Sequence, residues 1–199
     1  MVNPEHPLWK LRSELFDHLA MMSLEFSRYV YREFGVTDYR NTFQISADKV
    51  QDGWLSTELQ SLESEEELAL HSRVNLEGAT LHIPMIDFVN VASWQEIHAR
   101  LQHISERLGR NLWLYSSGRS LHGYYFVLVD EPSWYRFLGE LLLCNSRSRF
   151  SSEIIDSRWV GHSLVHGFSA LRWSQNTRRH SSLPYLVNTE NSLNDALPK

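Results

Sequence analysis

Residues 116–129, Ser-Ser-Gly-Arg-Ser-Leu-His-Gly-Tyr-Tyr-Phe-Val-Leu-Val (SSGRSLHGYYFVLV), decide the fold. A polar, glycine-containing turn opens directly into an apolar strand pattern. Glycine and small polar residues between two apolar runs mark a hairpin. NLWLYSS (111–117) and LHGYYFVLV (121–129) therefore read as two strands joined at Gly118-Arg119-Ser120. Ser120 and His122 lie two apart and project from one face, followed by Tyr124.

Outward from the hairpin the pattern is regular. Residues 79–91 (ATLHIPMIDFVNV) read as a strand with Leu81, Ile83 and Met85 on one face. Residues 93–109 open with Ser93 as a cap and Glu96 as its capping-box acid. They carry the apolar stripe Trp94, Ile97, Leu101, Ile104 and Leu108, and Gly109 ends the helix. Residues 132–145 begin with proline and read as a second helix. Residues 149–156 give a strand or extended arm, then a short helix follows, and 168–174 (FSALRWS) form a closing strand. Residues 79–174 thus predict an α+β fold of order βαββαβ, the split-βαβ sheet of ferredoxin-like and RNA-recognition domains.

The flanks divide the chain into three. Residues 1–78 form an N-terminal, mostly helical module. Leu11, Leu15, Leu19, Met22, Phe26 and Val30 have helical spacing across 8–34, which reads as one long helix or two short ones ended by Gly35. NTFQIS (41–46) is a short strand, and 56–73, with the run ESEEE, is a helix with a solvated acidic face. Residues 175–199 form a polar, loosely attached tail.

Charge is unevenly spread. Residues 1–97 hold 7 Lys+Arg against 16 Asp+Glu, whereas 98–180 hold 11 against 6, and all eleven are arginines. The net charge of −5 argues against a surface coated by nucleic acid, but a one-sided set of arginines suits phosphate. The single cysteine, Cys144, excludes an internal disulfide and reads as a buried, inert thiol. No basic-then-apolar leader and no membrane-length apolar run occur, which predicts a cytoplasmic protein with no membrane partner.

Three segments place polar groups at strand ends. Asp87 interrupts the apolar strand HIPMIDFVN, where a carboxylate needs a cavity, a metal or an arginine; a cap on the next turn is the plainer role. Ser120, His122, Arg119 and the Gly118 turn form a set of donors that can grip a phosphate. In EIIDSRWVGHSLVHGFSALRWS, Asp156 ends an apolar run, Arg158 follows, and Arg172 lies in the last strand. His162 and His166 have the spacing of helical zinc ligands but lack an evident third ligand. Two strand-borne carboxylates could hold Mg²⁺ beside substrate phosphates.

These residues resemble the archaeo-eukaryotic primase superfamily, the primase-polymerases. PMIDF is similar to the first family motif, with Asp87 at its second carboxylate; SGRSLHGY resembles the second, a Ser-x-His; IIDSRW resembles the third, with Asp156. The resemblance covers about 79–174. It implies an RNA-recognition-like sheet and a nucleotidyltransferase using Mg²⁺ or Mn²⁺ on Asp87 and Asp156. Ser120, His122 and Arg172 would take the nucleoside triphosphate, and Arg119 and Arg158 phosphate or single-stranded template. It further implies work in DNA replication or repair, with a partner protein supplying missing domains. Where the family carries its first carboxylate, this chain has Met85, a soft ligand that cannot replace a carboxylate on Mg²⁺; Glu77 or a nearby group would have to substitute. A degenerate module that binds nucleotide without turnover is therefore the alternative. A third reading is an RNA-binding domain stacking bases on Trp113, Tyr115 and Tyr124.

Overall fold

The computed structural model describes residues 2–31, 39–89, 94–145, 153–180 and 182–187. Helix α1 (Pro7–Glu14) starts on proline, with the His6 ring accepting from the Leu8 N–H at 3.1 Å. Strands β1 (Met22–Val30) and β2 (Arg40–Ser46), helix α2 (Asp52–Gln60), and strands β3 (Glu66–Leu76) and β4 (Ala79–His82) follow. Next come β5 (Met85–Asp87), α3 (Trp94–Leu108), β6 (Trp113–Ser116), β7 (Leu121–Tyr124), α4 (Glu131–Cys144), α5 (Ser157–His166), β8 (Ala170–Arg172) and β9 (Tyr185–Leu186).

The strands form two antiparallel sheets. The first has the order β2-β1-β3-β4, with β8 also pairing to β3. The second has the order β5-β7-β6-β9. An antiparallel bridge from Phe88 to Ile155 sets the 155 segment on the outer edge of β5. Side chains alternate across the second sheet. Ile86, Leu114 and Leu121 pack on Ile97, Leu101 and Ile104 of α3 and Trp134, Phe137 and Leu138 of α4. Met85, Tyr115 and Tyr124 face the other way and join Phe26, Leu68, Leu70 and Trp173 in a core between the sheets. Gly123 lies on the helix side, where a Cβ would sit 3.1 Å from both Leu112 Cδ1 and Phe88 Cε2. Among the described residues no helix is long and apolar enough to cross a membrane.

Several expectations change. The predicted helix over 8–34 is a helix only at its start; Met22–Val30 is a central strand of the first sheet, and 32–35 lies outside the described residues. Met22 and Phe26 satisfy a helical repeat and a strand alternation equally, and long-range pairing with β2 and β3 decides between them. The acidic helix predicted over 56–73 ends at Gln60, and Glu65, at φ 64°, turns the chain into β3. The strand predicted over 79–91 splits at Ile83-Pro84 into β4 and β5, which belong to different sheets. The closing strand 168–174 pairs with β3 rather than with the hairpin sheet. Ser93 lies outside the described residues, as do 149–152 of the predicted strand 149–156. Cys144 is half-buried, its thiol donating to the Arg100 carbonyl at 3.3 Å, and burial pushes its pKa up to about 11.

Of the predicted loose tail, residues 175–180 and 182–187 are described, and they are docked on the fold. Glu67, at the start of β3, is fully buried and accepts from the Asn176 N–H at 3.1 Å and the Thr177 hydroxyl at 2.8 Å, and also from the Ser174 hydroxyl. Further on, β9 adds to β6, and the Val187 N–H donates to the Leu114 carbonyl at 2.9 Å. Burial alone would raise the Glu67 pKa, but donors from His180, Ser174, Asn176 and Thr177 outweigh it and hold it at about 2. A depressed carboxyl pKa stabilises the fold above the unfolded value of 4.5, and that contribution disappears as pH falls towards 2. Glu67→Gln is expected to lower stability at pH 7 by on the order of 2–3 kcal/mol. It should also flatten the loss of stability between pH 5 and about 2, as read by urea unfolding across that range.

Candidate functional site

The hairpin turn is built from its own side chains. Gly118, at φ 86°, takes the first turn position. The Ser117 N–H donates to the Ser120 carbonyl at 2.9 Å, and the Ser120 N–H donates to the Ser117 hydroxyl at 3.2 Å. The buried Arg172 guanidinium, arriving on β8, donates to the Ser117 carbonyl and, at 3.5 Å, to that of Ser182. It ties the turn to the first sheet. Burial lowers the Arg172 pKa without removing the charge.

β5 pairs with β7 so that Asp87 stands opposite His122 and Met85 opposite Tyr124. The Asp156 N–H donates to the Asp87 carbonyl at 2.9 Å, bringing together two acids distant in sequence. Asp156 also caps α5: its Oδ1 accepts from the N–H groups of Arg158 at 2.9 Å and Trp159 at 3.0 Å. The capping role and a place in the site coexist, because only Oδ1 carries those bonds.

The two carboxylates open into a cleft between the sheets and α5. One lobe, of about 350 Å³, is lined by Asp87, Asp156, Arg119, Ser120, His122 and Arg172. The adjoining lobe, of about 510 Å³, shares Asp87 and Asp156 and adds Arg158. All seven residues singled out in the sequence face this cleft. Residues not singled out line it too: Tyr29 and Arg40 from the first sheet, Tyr31 just after β1, and Arg179 and His180 beyond β8. No local signal marks them, since they arrive from the two ends of the chain.

The electrostatics are those of an acid pair in a recess. Asp87 keeps 27% of its side chain exposed, towards the cleft. Burial, then the neighbouring Asp156, push its pKa up to about 8, with Arg172 opposing. His122 Nε2 lies 3.9 Å from Asp87 Oδ1, and its Nδ1 is buried with no partner among the described residues. Burial, with Arg172 and His180 nearby, holds the imidazole pKa well below its ordinary value. His122 is therefore neutral at pH 7, a hydrogen-bonding group rather than a fixed cation.

Among the described residues no three His, Cys, Asp or Glu side chains cluster to hold a metal. Met85 is fully buried in the core between the sheets, and Glu77 is exposed on the β3–β4 turn, so neither lines the cleft. The rings of His162 and His166 stack in parallel at 6.0 Å on α5, without a third ligand among the described residues. Two carboxylates alone suit one hard divalent ion whose remaining ligands come from water and substrate phosphate. Tyr115 and Tyr124 are core residues, and Lys10 covers the Trp113 ring at 3.8 Å, so none of the three forms an open stacking face.

A family model described as AEP-like, archaeo-eukaryotic primase 1D-like, matches residues 46–185. Neither the curated proteins nor the solved structures contain a match.

A raised carboxyl pKa has the opposite linkage to that of Glu67. Between the unfolded value of 3.8 and about 8 the native state binds the extra proton, so Asp87 costs stability progressively as pH rises through that window. In metal-free buffer at pH 8, Asp87→Asn is expected to raise stability by on the order of 2 kcal/mol, discounted for the solvent that reaches the carboxylate. Near pH 4 it should have little effect, as read from thermal unfolding at both pH values.

Proposed function

The chain belongs to the archaeo-eukaryotic primase family, and on that premise we propose that it is a primase-polymerase-like nucleotidyltransferase acting on a nucleoside triphosphate and a single-stranded template. The observation that carries this reading is the convergence of Asp87 and Asp156 beside Ser120 and His122 in one lobe. In this reading the sheet flanked by the 155 segment and backed by α3 and α4 is the RNA-recognition-like βαββαβ core, within 79–174. Residues 1–78 supply the wall opposite it.

Family enzymes use divalent metals, and Asp87 and Asp156 are the residues that would hold Mg²⁺ or Mn²⁺ here. The ion would supply Lewis-acid stabilisation of charge developing on the reacting phosphate. The chain's own groups do the rest. Arg119 and Arg172 offset the phosphate charge, Arg172 from a position fixed by the Ser117 carbonyl. The Ser120 hydroxyl and the neutral His122 ring donate hydrogen bonds to phosphate oxygens without adding a cation that would compete for the carboxylates. To hold a cation, Asp87 would have to give up its proton, which would tie metal binding to proton release.

The larger lobe combines Tyr39 and Trp159 with Arg158 and with Arg40, whose guanidinium covers the Tyr29 ring at 4.1 Å. Aromatic faces and guanidinium groups suit stacked bases and a phosphodiester backbone, which supports this lobe as the template side. A second reading, nucleotide binding without turnover, is favoured by the burial of Met85, which leaves two carboxylates where the family resemblance implies three.

The deciding experiment supplies a primed and an unprimed template, labelled nucleotides and Mn²⁺. Strand extension that falls at least a hundredfold in Asp87→Asn and Asp156→Asn is the expected outcome. Triphosphate binding with no product at any metal concentration would establish the second reading instead. Separately, Arg158→Ala combined with Tyr39→Ala is expected to weaken single-strand binding roughly tenfold or more and to reduce its salt dependence. Fluorescence anisotropy over a salt series checks this, with triphosphate affinity unchanged.

A further inference from the structure

The segment that follows β8 does more than close the fold. It carries His180 into the lobe lined by Ser120, His122 and Arg172. The ring is held from behind. His180 Nδ1 lies 2.9 Å from Glu67 Oε1 and 3.0 Å from the Thr177 hydroxyl. Glu67 is fully buried, and its low pKa keeps it ionised, so it can only accept hydrogen bonds. The ring proton bonded to Glu67 is therefore on Nδ1, and Nε2 is the nitrogen left for other partners. Nε2 makes no hydrogen bond among the described residues, and the side chain keeps 18% of its surface exposed. His180 is also close enough to His122 to depress the latter's pKa.

A carboxylate behind an imidazole, with the far nitrogen directed into a polar cavity, is an orienting arrangement. We propose that His180 is a phosphate-contacting residue of this lobe, with Glu67 as the positioning residue that aims its Nε2 at a phosphate oxygen of the bound nucleotide. This rests on the reading that the lobe takes a triphosphate. Once an anion occupies the lobe, the ring bridges two negative groups. Nδ1–H then donates to Glu67 and Nε2–H to phosphate. Arg119, Arg172 and Arg179 share the lobe and supply the remaining positive charge. The grip therefore combines the hairpin, β8 and the segment beyond it, so the chain past Trp173 is part of the binding site.

The probe is inorganic tripolyphosphate without metal, titrated calorimetrically into the full chain. Wild type is expected to bind, and Ser120→Ala with His122→Asn to bind more weakly. His180→Ala should lose roughly ten- to hundredfold in affinity. His180→Gln, which keeps an N–H near the Nε2 position, should recover part of that loss. In ¹⁵N spectra of wild-type histidine side chains, tripolyphosphate should shift the ring-nitrogen signals of one histidine, and that shifted signal should be missing in His180→Gln. If His180→Ala binds as tightly as wild type while the Ser120/His122 variant does not, His180 has no phosphate role and the lobe assignment survives. If wild type fails to bind tripolyphosphate, the lobe assignment falls and this inference with it. The spectra of the wild-type chain decide the matter even where His180→Ala does not fold: an unchanged ring overturns the proposal.

Discussion

The pairing of β5 with β7 is the constraint on which the site depends. It is only three residues long, yet its register places Asp87 beside His122 and, through the Phe88–Ile155 bridge, Asp156 beside both. A slip of β5 by one residue would turn Asp87 to the helix face and away from His122. Two features hold the register. Gly123 occupies a tight point on the helix side, where a Cβ would sit 3.1 Å from Leu112 and Phe88, so a residue slipped into that place would have to push those side chains aside. The Gly118 turn closes the hairpin with hydrogen bonds between Ser117 and Ser120, which fixes where β7 begins. The alternation of Ile86 against Met85 then places one side of the strand on α3 and α4 and the other in the core between the sheets.

Two acids show how environment divides one chemistry. Glu67 is buried among donors and stays ionised; Asp87 is recessed beside a second carboxylate and holds its proton. The first stabilises the fold by docking the chain that follows β8. The second destabilises it at neutral pH, which is the usual condition of a functional carboxylate whose counter-charge arrives with its ligand. The arginines follow the same division. Arg172 is anchored on backbone carbonyls and shapes the hairpin, while Arg119 stands exposed at the mouth of the same lobe. Only the combination gives a cleft that is anionic at its floor and cationic at its rim.

Local patterns made the hairpin legible: glycine and serines between two apolar runs, and a Ser-x-His projecting from one face. Asp87 and Asp156 were legible for a related reason, since each ends an apolar run where a charge needs an explanation. The N-terminal strands were not legible. Met22 and Phe26 fit a helix and a strand alike, and the choice comes from pairing with β3, far along the chain. The acidic run was misread because Glu67 looks like its solvated neighbours. Its partners, Ser174, Asn176, Thr177 and His180, lie 107 to 113 residues away. For the same reason Arg40 and His180 could not be assigned to the site from sequence: a cleft wall contributed by both ends of the chain has no local signature.

The burial of Met85 bears on how such a site would take up metal. A thioether packed against the core cannot be replaced by a carboxylate without burying a third acid close to two that already share a recess. Two carboxylates, one of them holding its proton at neutral pH, attract a divalent ion weakly until a phosphate adds its own oxygens and charge. A site of this composition favours joint binding of metal and nucleotide over a resident metal. The number of phosphate donors is then no surplus: with fewer carboxylates at the floor, more of the substrate must be held from the rim. In the proposed reading the Ser120 turn, Arg119, Arg172 and the docked segment carrying His180, which line one lobe, would supply those contacts.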